Sequence, residues 1–428
     1  MRPLYTVLLY LLTPLILLRL LWRSRELREY RLRIGERFGW VRPAPDGIAV
    51  WVHAVSVGES LAALPLIREL IETYGPGRVW VTTTTPTGSA RITEALGDRI
   101  RHSYAPYDLP DVVARFLTRV RPERVVVMET ELWPNLFHAL ARRRIPLMIA
   151  NARLSPRSFR GYGRVRGFAA ATLANCRYIA AQSPADAERF AALGAPADRV
   201  GAVGNIKFDQ AIPDEQIERG RRLRALIGSA RPVWIAASTH DGEETAAVAA
   251  HRQLRDTHPE AALILVPRHP QRFDAVARML DDSGLSWVRR SSLTIDAAAD
   301  DDAAGAAIVL GDSMGEMFMY FAAGDAAFVG GSLVPVGGHN VLEPAALGLP
   351  VLFGPHMHNF LPARELLLGA DAGAQTDAGA LGTTLTQWFD DPARREAMGA
   401  AGTRAVAANR GALQRLLELT TGLSPARP

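Results

Sequence analysis

One stretch limits the folds open to this chain more than any other: Phe328 to Phe360, FVGGSLVPVGGHNVLEPAALGLPVLFGPHMHNF. Ala326–Val329 reads as a short buried strand. It gives way to a loop carrying Gly330, Gly331, Gly337 and Gly338. Asn340 and Glu343 have the spacing of a capping box, which predicts a helix start. Gly348 stops that helix, and Pro350–Phe353 reads as the next strand. Strand, glycine loop, helix, strand is a crossover unit of a parallel α/β sheet. Free N–H groups at the positive end of a helix also suit a phosphate. An ordinary crossover and a ligand loop share this pattern, and the stretch alone leaves both open.

The same alternation runs through the rest of the 428 residues, a length that allows two domains. In the first half, strands are expected at Gly47–Val52, Arg78–Val81, Ile100–Tyr104, Arg124–Met128 and Leu147–Ala150, then two short ones. Helices lie between them, including an Arg-rich one over Phe159–Ala174. The pattern pauses near Gly204–Pro213. It resumes with strands at Val233–Ala237, Ala262–Val266, Ala307–Leu310, Ala326–Val329 and Val351–Phe353. Terminal helices over Pro392–Asn409 and Leu413–Thr420 should pack outside the sheets. The Ala/Asp run Asp296–Ala306 reads as a surface loop.

The first 22 residues stand apart. Leu4 to Leu18 is almost wholly apolar, Trp22 closes the segment, and seven arginines from Arg19 to Arg37 follow. The run is a little short of the roughly 20 residues of a full span. No small-residue cleavage site follows it, so it reads as an uncleaved anchor with its arginines at an anionic, cytoplasmic membrane surface. A net charge of +5 is too modest to indicate nucleic acid and suits anionic lipid or phosphate. The single cysteine, Cys176, excludes a disulfide framework or a cysteine metal site. His356 and His358 lack carboxylate neighbours in sequence, and no metal is expected. The glycines do not fit G-x-G-x-x-G, so a nicotinamide cofactor is not expected either.

Polar clusters fall at the C-terminal ends of predicted strands, where ligands bind in open α/β sheets. Glu59 sits at a helix start beside Gly58, as a dipole-favoured carboxylate or as a general base. Glu129 and Glu131 follow a buried strand. Lys207 lies at the interdomain pause. Arg268 and His269 offer donors to a phosphate oxygen. Glu316 and Glu343 stand near helix starts, as caps or ligand contacts. These residues support a two-domain α/β protein that binds a nucleotide-linked phosphate near a membrane.

The motifs themselves go further. His-Ala-Val-Ser-Val-Gly-Glu (53–59), Glu-Thr-Glu-Leu-Trp-Pro-Asn (129–135), Asn-Ala-Arg-Leu-Ser (151–155), Gly-Asn-Ile-Lys-Phe-Asp (204–209), Pro-Arg-His-Pro (267–270), Gly-Asp-Ser-Met-Gly-Glu (311–316) and the stretch 328–344 closely resemble the 3-deoxy-D-manno-octulosonic acid (Kdo) transferases. The resemblance implies a GT-B glycosyltransferase with two Rossmann-like domains facing a central cleft. Residues 1–22 would be the anchor, 23–210 the acceptor domain and 211–428 the CMP-sugar donor domain. It implies CMP-Kdo as donor, a lipid A precursor as acceptor, no metal or other cofactor, and a site on the cytoplasmic side of the inner membrane. Glu59 would match the family's proton acceptor, and Glu129 and Lys207 its transition-state stabilisers. Pro267, Arg268, Met314, Gly315, Glu316, Asn340, Val341, Leu342 and Glu343 would match its CMP-binding segments. A GT-B enzyme using another nucleotide sugar, a sugar-nucleotide epimerase, and a non-catalytic membrane-anchored lipid-binding protein are the alternatives.

Overall fold

The structure, a computed structural model, describes residues 1–25, 27–209, 212–295 and 305–423. Most of the Ala/Asp run therefore lies outside the described residues. The chain divides into two units, Met1–Gln210 with Asn409–Pro428, and Ala211–Ala408.

Unit 1 holds seven strands: β1 Val50–His53, β2 Val79–Thr83, β3 Arg101–Tyr104, β4 Val125–Met128, β5 Leu147–Ala152, β6 Tyr178–Ala181 and β7 Val200–Ala202. They form one parallel sheet in the order β3-β2-β1-β4-β5-β6-β7. The central strands β1, β2, β4 and β5 are buried along their whole length. That is why they read in the sequence as continuous apolar runs rather than alternating ones. Trp51, Val125, Val127 and Phe116 pack on one face of the sheet. Val50, Val52, Val126 and Leu66 pack on the other.

Unit 2 repeats the architecture with β8 Val233–Thr239, β9 Ala262–Pro267, β10 Trp287–Arg289, β11 Ile308–Leu310, β12 Ala326–Val329, β13 Val351–Phe353 and β14 Gly373–Gln375. Its parallel order is β10-β11-β9-β8-β12-β13-β14.

Three expectations are corrected. The segment 211–428 is not one unit, because the helix Ala412–Thr421 returns to unit 1 and packs on the helix Val57–Tyr74, with Leu416 fully buried. Asp209 fixes that return by accepting the N–H of Gly411 at 2.5 Å and of Leu413 at 2.7 Å. The Arg-rich helix is two helices, Pro156–Gly163 and Arg166–Leu173, broken at Arg164 and Val165. The helix predicted from Asn340 starts at Leu342 and lasts five residues. Asn340 Oδ1 accepts the Leu342 N–H, and Glu343 accepts from the Asn340 side-chain amide.

The apolar N-terminal segment is a 22-residue helix, Arg2–Arg23, long and apolar enough to cross a membrane. Tyr5, Thr6, Leu9, Thr13 and Ile16 are half-buried on its inner side, while Leu4, Leu8, Leu11, Leu15 and Leu18 are exposed. Tyr5 donates to Asp108 at 3.0 Å, Thr6 to Asn135 at 3.0 Å and Tyr10 to Asp111 at 2.5 Å.

Candidate functional site

In each sheet the chain winds outward one way and then restarts beside its first strand. In unit 1 this switch point lies between β1 and β4, and open α/β sheets bind ligands at such a crevice. The turn after β1 leads to Glu59, and the residue after β4 is Glu129.

Ser56 caps the helix Val57–Tyr74 by accepting the Glu59 N–H at 3.1 Å. Glu59 Oε2 reaches back to accept the Val55 N–H at 2.8 Å. These two bonds fix a carboxylate that is only 8% exposed. Burial pushes its pKa up to about 7, and the negative charges of Glu131 and Glu129 push the same way; the bonds from Val55 and Ser56 oppose the rise. A carboxylate that exchanges protons near neutrality is matched to general base work.

Glu129 has φ +56°, costly for a residue with a Cβ, and its N–H is held by the Ala150 carbonyl at 2.9 Å. Its carboxylate faces Lys207 Nζ at 3.8 Å. Glu131 turns elsewhere and accepts the Trp133 indole N–H at 2.8 Å; burial raises its pKa. The ring of Trp133 stands edge-on to His53, 4.7 Å between centroids. His53 is fully buried, bonded through Nδ1 to Thr82 at 2.8 Å, and kept neutral by burial, with a pKa lowered to about 3. Its Nε2 has no protein partner.

The sequence motifs did not identify what holds Lys207. Asn151, at φ +53° beside a register shift in β5, accepts the Ile206 N–H at 3.1 Å. Asn205 accepts the Lys207 N–H at 3.0 Å and donates to Gln182 at 3.2 Å. Gln182 in turn donates to the Asn151 carbonyl at 3.0 Å. The signal was available in the polar residues clustered at Asn151 and Asn205, and in one fact of composition. Lys207 is the single lysine of the chain; all other basic residues, of 49, are arginine.

In unit 2 the switch point lies between β8 and β12. Here three amides of the glycine loop are taken by a side chain of the same unit. Glu243, fully buried, accepts the N–H of Gly331 at 2.7 Å, Ser332 at 3.0 Å, Leu333 at 2.9 Å and His240 at 2.9 Å. A buried carboxylate needs such donors, so the amides of Gly331, Ser332 and Leu333 bind an internal anion. Gly330 is required by this same packing, because a Cβ there would lie 2.7 Å from Glu243 Oε2.

The remaining expected residues are distributed as follows. Pro267 ends β9 and Arg268 is exposed beyond it. The Arg268 charge reaches His339, whose pKa is lowered to about 4, chiefly by burial. His339 stacks on His240 with centroids 5.1 Å apart, and His269 stands edge-on to His240 at 5.3 Å. The first and third expected CMP segments thus meet around these histidines. Met314 is exposed and Gly315 has φ +80°. Both follow β11, the neighbour of β9. Glu316 is engaged by Arg219 at 2.5 Å, Arg290 at 3.0 Å and Ser313 at 2.5 Å. Val341 and Leu342 are buried, leaving Asn340 and Glu343 as the polar side chains of their segment.

A family profile described as 3-deoxy-D-manno-octulosonic-acid transferase (kdotransferase) matches residues 32–210. The chain is 42% identical to 3-deoxy-D-manno-octulosonic acid transferase of Haemophilus influenzae, over 98% of this chain and 97% of that one. It is 37% identical to the enzyme of the same name from Bordetella pertussis, over 97% and 98%. Two solved structures share the fold at low identity. One is a UDP-GlcNAc 2-epimerase from Neisseria meningitidis (TM-score 0.57, 16% identity, 87% of this chain and 99% of that one). The other is a glycosyltransferase from Rickettsia africae (TM-score 0.56, 13% identity, 88% and 99%). The two parallel sheets and these neighbours define a GT-B fold. Near-full-length identity to the named transferases settles the family: the chain belongs to the Kdo transferases, a family of glycosyltransferases.

Proposed function

We propose that this glycosyltransferase moves Kdo from CMP-Kdo to a lipid A precursor (lipid IVA) in lipopolysaccharide synthesis, with inversion and without a metal. The observation that carries the mechanism is the buried, capped Glu59 carboxylate with its pKa raised to about 7. Ionised, Glu59 takes the proton of an acceptor sugar hydroxyl. The hydroxyl oxygen forms a bond to the anomeric carbon of Kdo as the bond from that carbon to the phosphate oxygen breaks, and CMP departs with the electron pair. One displacement inverts the anomeric centre. Glu129, oriented by Lys207, faces the positive charge that develops on the sugar. Arg268 neutralises the departing phosphate.

The same reading assigns 23–210 to the acceptor and 211–428, less its last helix, to the donor. Pro267, Arg268, Met314–Glu316 and Asn340–Glu343 would hold CMP. The helix Arg2–Arg23 would anchor the protein on the cytoplasmic side of the inner membrane. Arg157, Arg160, Arg164 and Arg166, all exposed, would meet anionic phosphates there; Phe168, on the second of their two helices, packs on Tyr5 of the anchor at 5.6 Å. The test is transfer of labelled Kdo from CMP-Kdo to lipid IVA. Full activity of Glu59→Gln would overturn the base assignment, and absence of transfer by the wild-type protein would overturn the function.

A further inference from the structure

The anchor helix does more than carry an apolar surface. Its inner side stands off unit 1 along part of its length and encloses a groove of about 200 Å³. Leu9, Thr13 and Ile16 line it from the helix, and Leu109, Leu132 and Trp133 from the unit. The groove is smaller than the roughly 300–1,000 Å³ of a pocket for a whole small molecule. It has the size for a single chain. Its one hydroxyl on this stretch of helix is silenced, since Thr13 Oγ1 donates to the Leu9 carbonyl at 2.7 Å and leaves the methyl to the groove. Asp108, the carboxylate in its wall beside Tyr5 and Tyr107, is already engaged by Tyr5, Asn135 and Leu136.

Two observations identify the occupant. The opposite side of the same helix exposes Leu4 at 73%, Leu11 at 70% and Leu18 at 61%, an apolar surface that hydrocarbon satisfies and water does not. The groove and that surface share one helix. The inner wall of the groove is Trp133, which binds Glu131 and packs on His53 at the end of β1. The groove therefore joins the membrane-facing helix to the loop that bears Glu129 and Glu131.

We propose that this groove seats one acyl chain of the lipid acceptor and directs its sugar headgroup toward Glu59. This rests on the acceptor being a lipid, as proposed above. The chain bends out of the bilayer along the helix, and the three side-chain bonds from Tyr5, Thr6 and Tyr10 hold that wall of the groove in place.

The test uses the full chain in vesicles of phosphatidylethanolamine and phosphatidylglycerol, with lipid IVA carrying a diazirine in an acyl chain. Adducts are expected at Leu9, Thr13, Ile16, Leu132 or Trp133, and unlabelled lipid IVA should suppress them. Adducts confined to Leu8, Leu11 and Leu15 would overturn the proposal. So would equal labelling by a diazirine phospholipid that lipid IVA does not compete. This readout does not need turnover. A wild-type protein that labels in the groove but transfers no Kdo leaves the groove standing and defeats the function; active protein with no groove adducts does the reverse. In kinetics, Thr13→Trp should raise KM for lipid IVA roughly ten-fold and leave KM for CMP-Kdo and for a deacylated acceptor unchanged. Leu8→Trp, on the outer side, should change none of them. Ile16→Phe is a second filling variant should Thr13→Trp not fold. An unchanged KM for lipid IVA in a folded filling variant overturns the proposal.

Discussion

Lys207 Nζ lies 3.8 Å from Glu129 Oε1, and this pair joins the chain's one lysine to a carboxylate held at positive φ. Arginine occupies every other basic position. A guanidinium offers a planar fork, whereas an ammonium is a compact charge that fits between two groups. Lys207→Arg should therefore lower transfer by about ten-fold, and Lys207→Met by roughly 100-fold or more, with thermal stability near wild type. Steady-state kinetics on the purified variants checks this, and wild-type rates in Lys207→Arg would contradict it.

Glu59 should impose its titration on the rate. As the base it works ionised, so kcat/KM should rise with pH and level off above about 7. Its effect on stability has the opposite sense. Between an ordinary glutamate pKa near 4.5 and about 7, the native state binds the proton that the unfolded state has lost. Stability then falls as pH rises through that window, by on the order of 3 kcal/mol for this group. Glu59→Gln should lose that part of the slope and be the more stable protein at pH 8. Chemical denaturation of both proteins at pH 5 and pH 8 measures the difference.

Glu243 should prove structural. Glu243→Ala leaves four N–H groups, those of His240, Gly331, Ser332 and Leu333, without their acceptor. The loss should be about 3 kcal/mol or more. Gln is a poor substitute, because its NH2 must face one of the two donor pairs. A thermal midpoint of Glu243→Ala within a degree of wild type would refute this role.

Nucleotide choice separates CMP-Kdo from other donors. CMP at 100 times its Kd should stabilise the folded protein by about 2.7 kcal/mol, and UDP at the same concentration should not. Protection by UDP alone would favour another nucleotide sugar. EDTA should leave Kdo transfer unchanged, as measured by the same labelled-sugar assay.

Sheet strands were legible where burial on both faces makes a continuous apolar run, as at Val125–Met128 and Leu263–Val266. The edge strands Trp287–Arg289 and Gly373–Gln375 were not, since each is three residues long and neither is buried along its whole length. Gly161, Gly163 and Gly167 mark the region where the Arg-rich helix breaks, yet its charge spacing read as one element. The motif residues Glu59, Glu129 and Lys207 lie in one unit. Glu243 was missed for a physical reason. Its partners stand 88 to 90 residues further on, and no local spacing signals a carboxylate that serves a distant loop. The glycines were noticed, but the anion they surround belongs to the protein itself.

The return of the helix Ala412–Thr421 to unit 1 sets an order of events during synthesis. Unit 2 is one uninterrupted segment and has all its strands once residue 375 has emerged. Unit 1 is older on the ribosome but cannot complete the cluster around the helix Val57–Tyr74 until Leu416 arrives. The first unit to begin is thus the last to finish. Until then the apolar surface that Leu416 will cover is left open to chaperones.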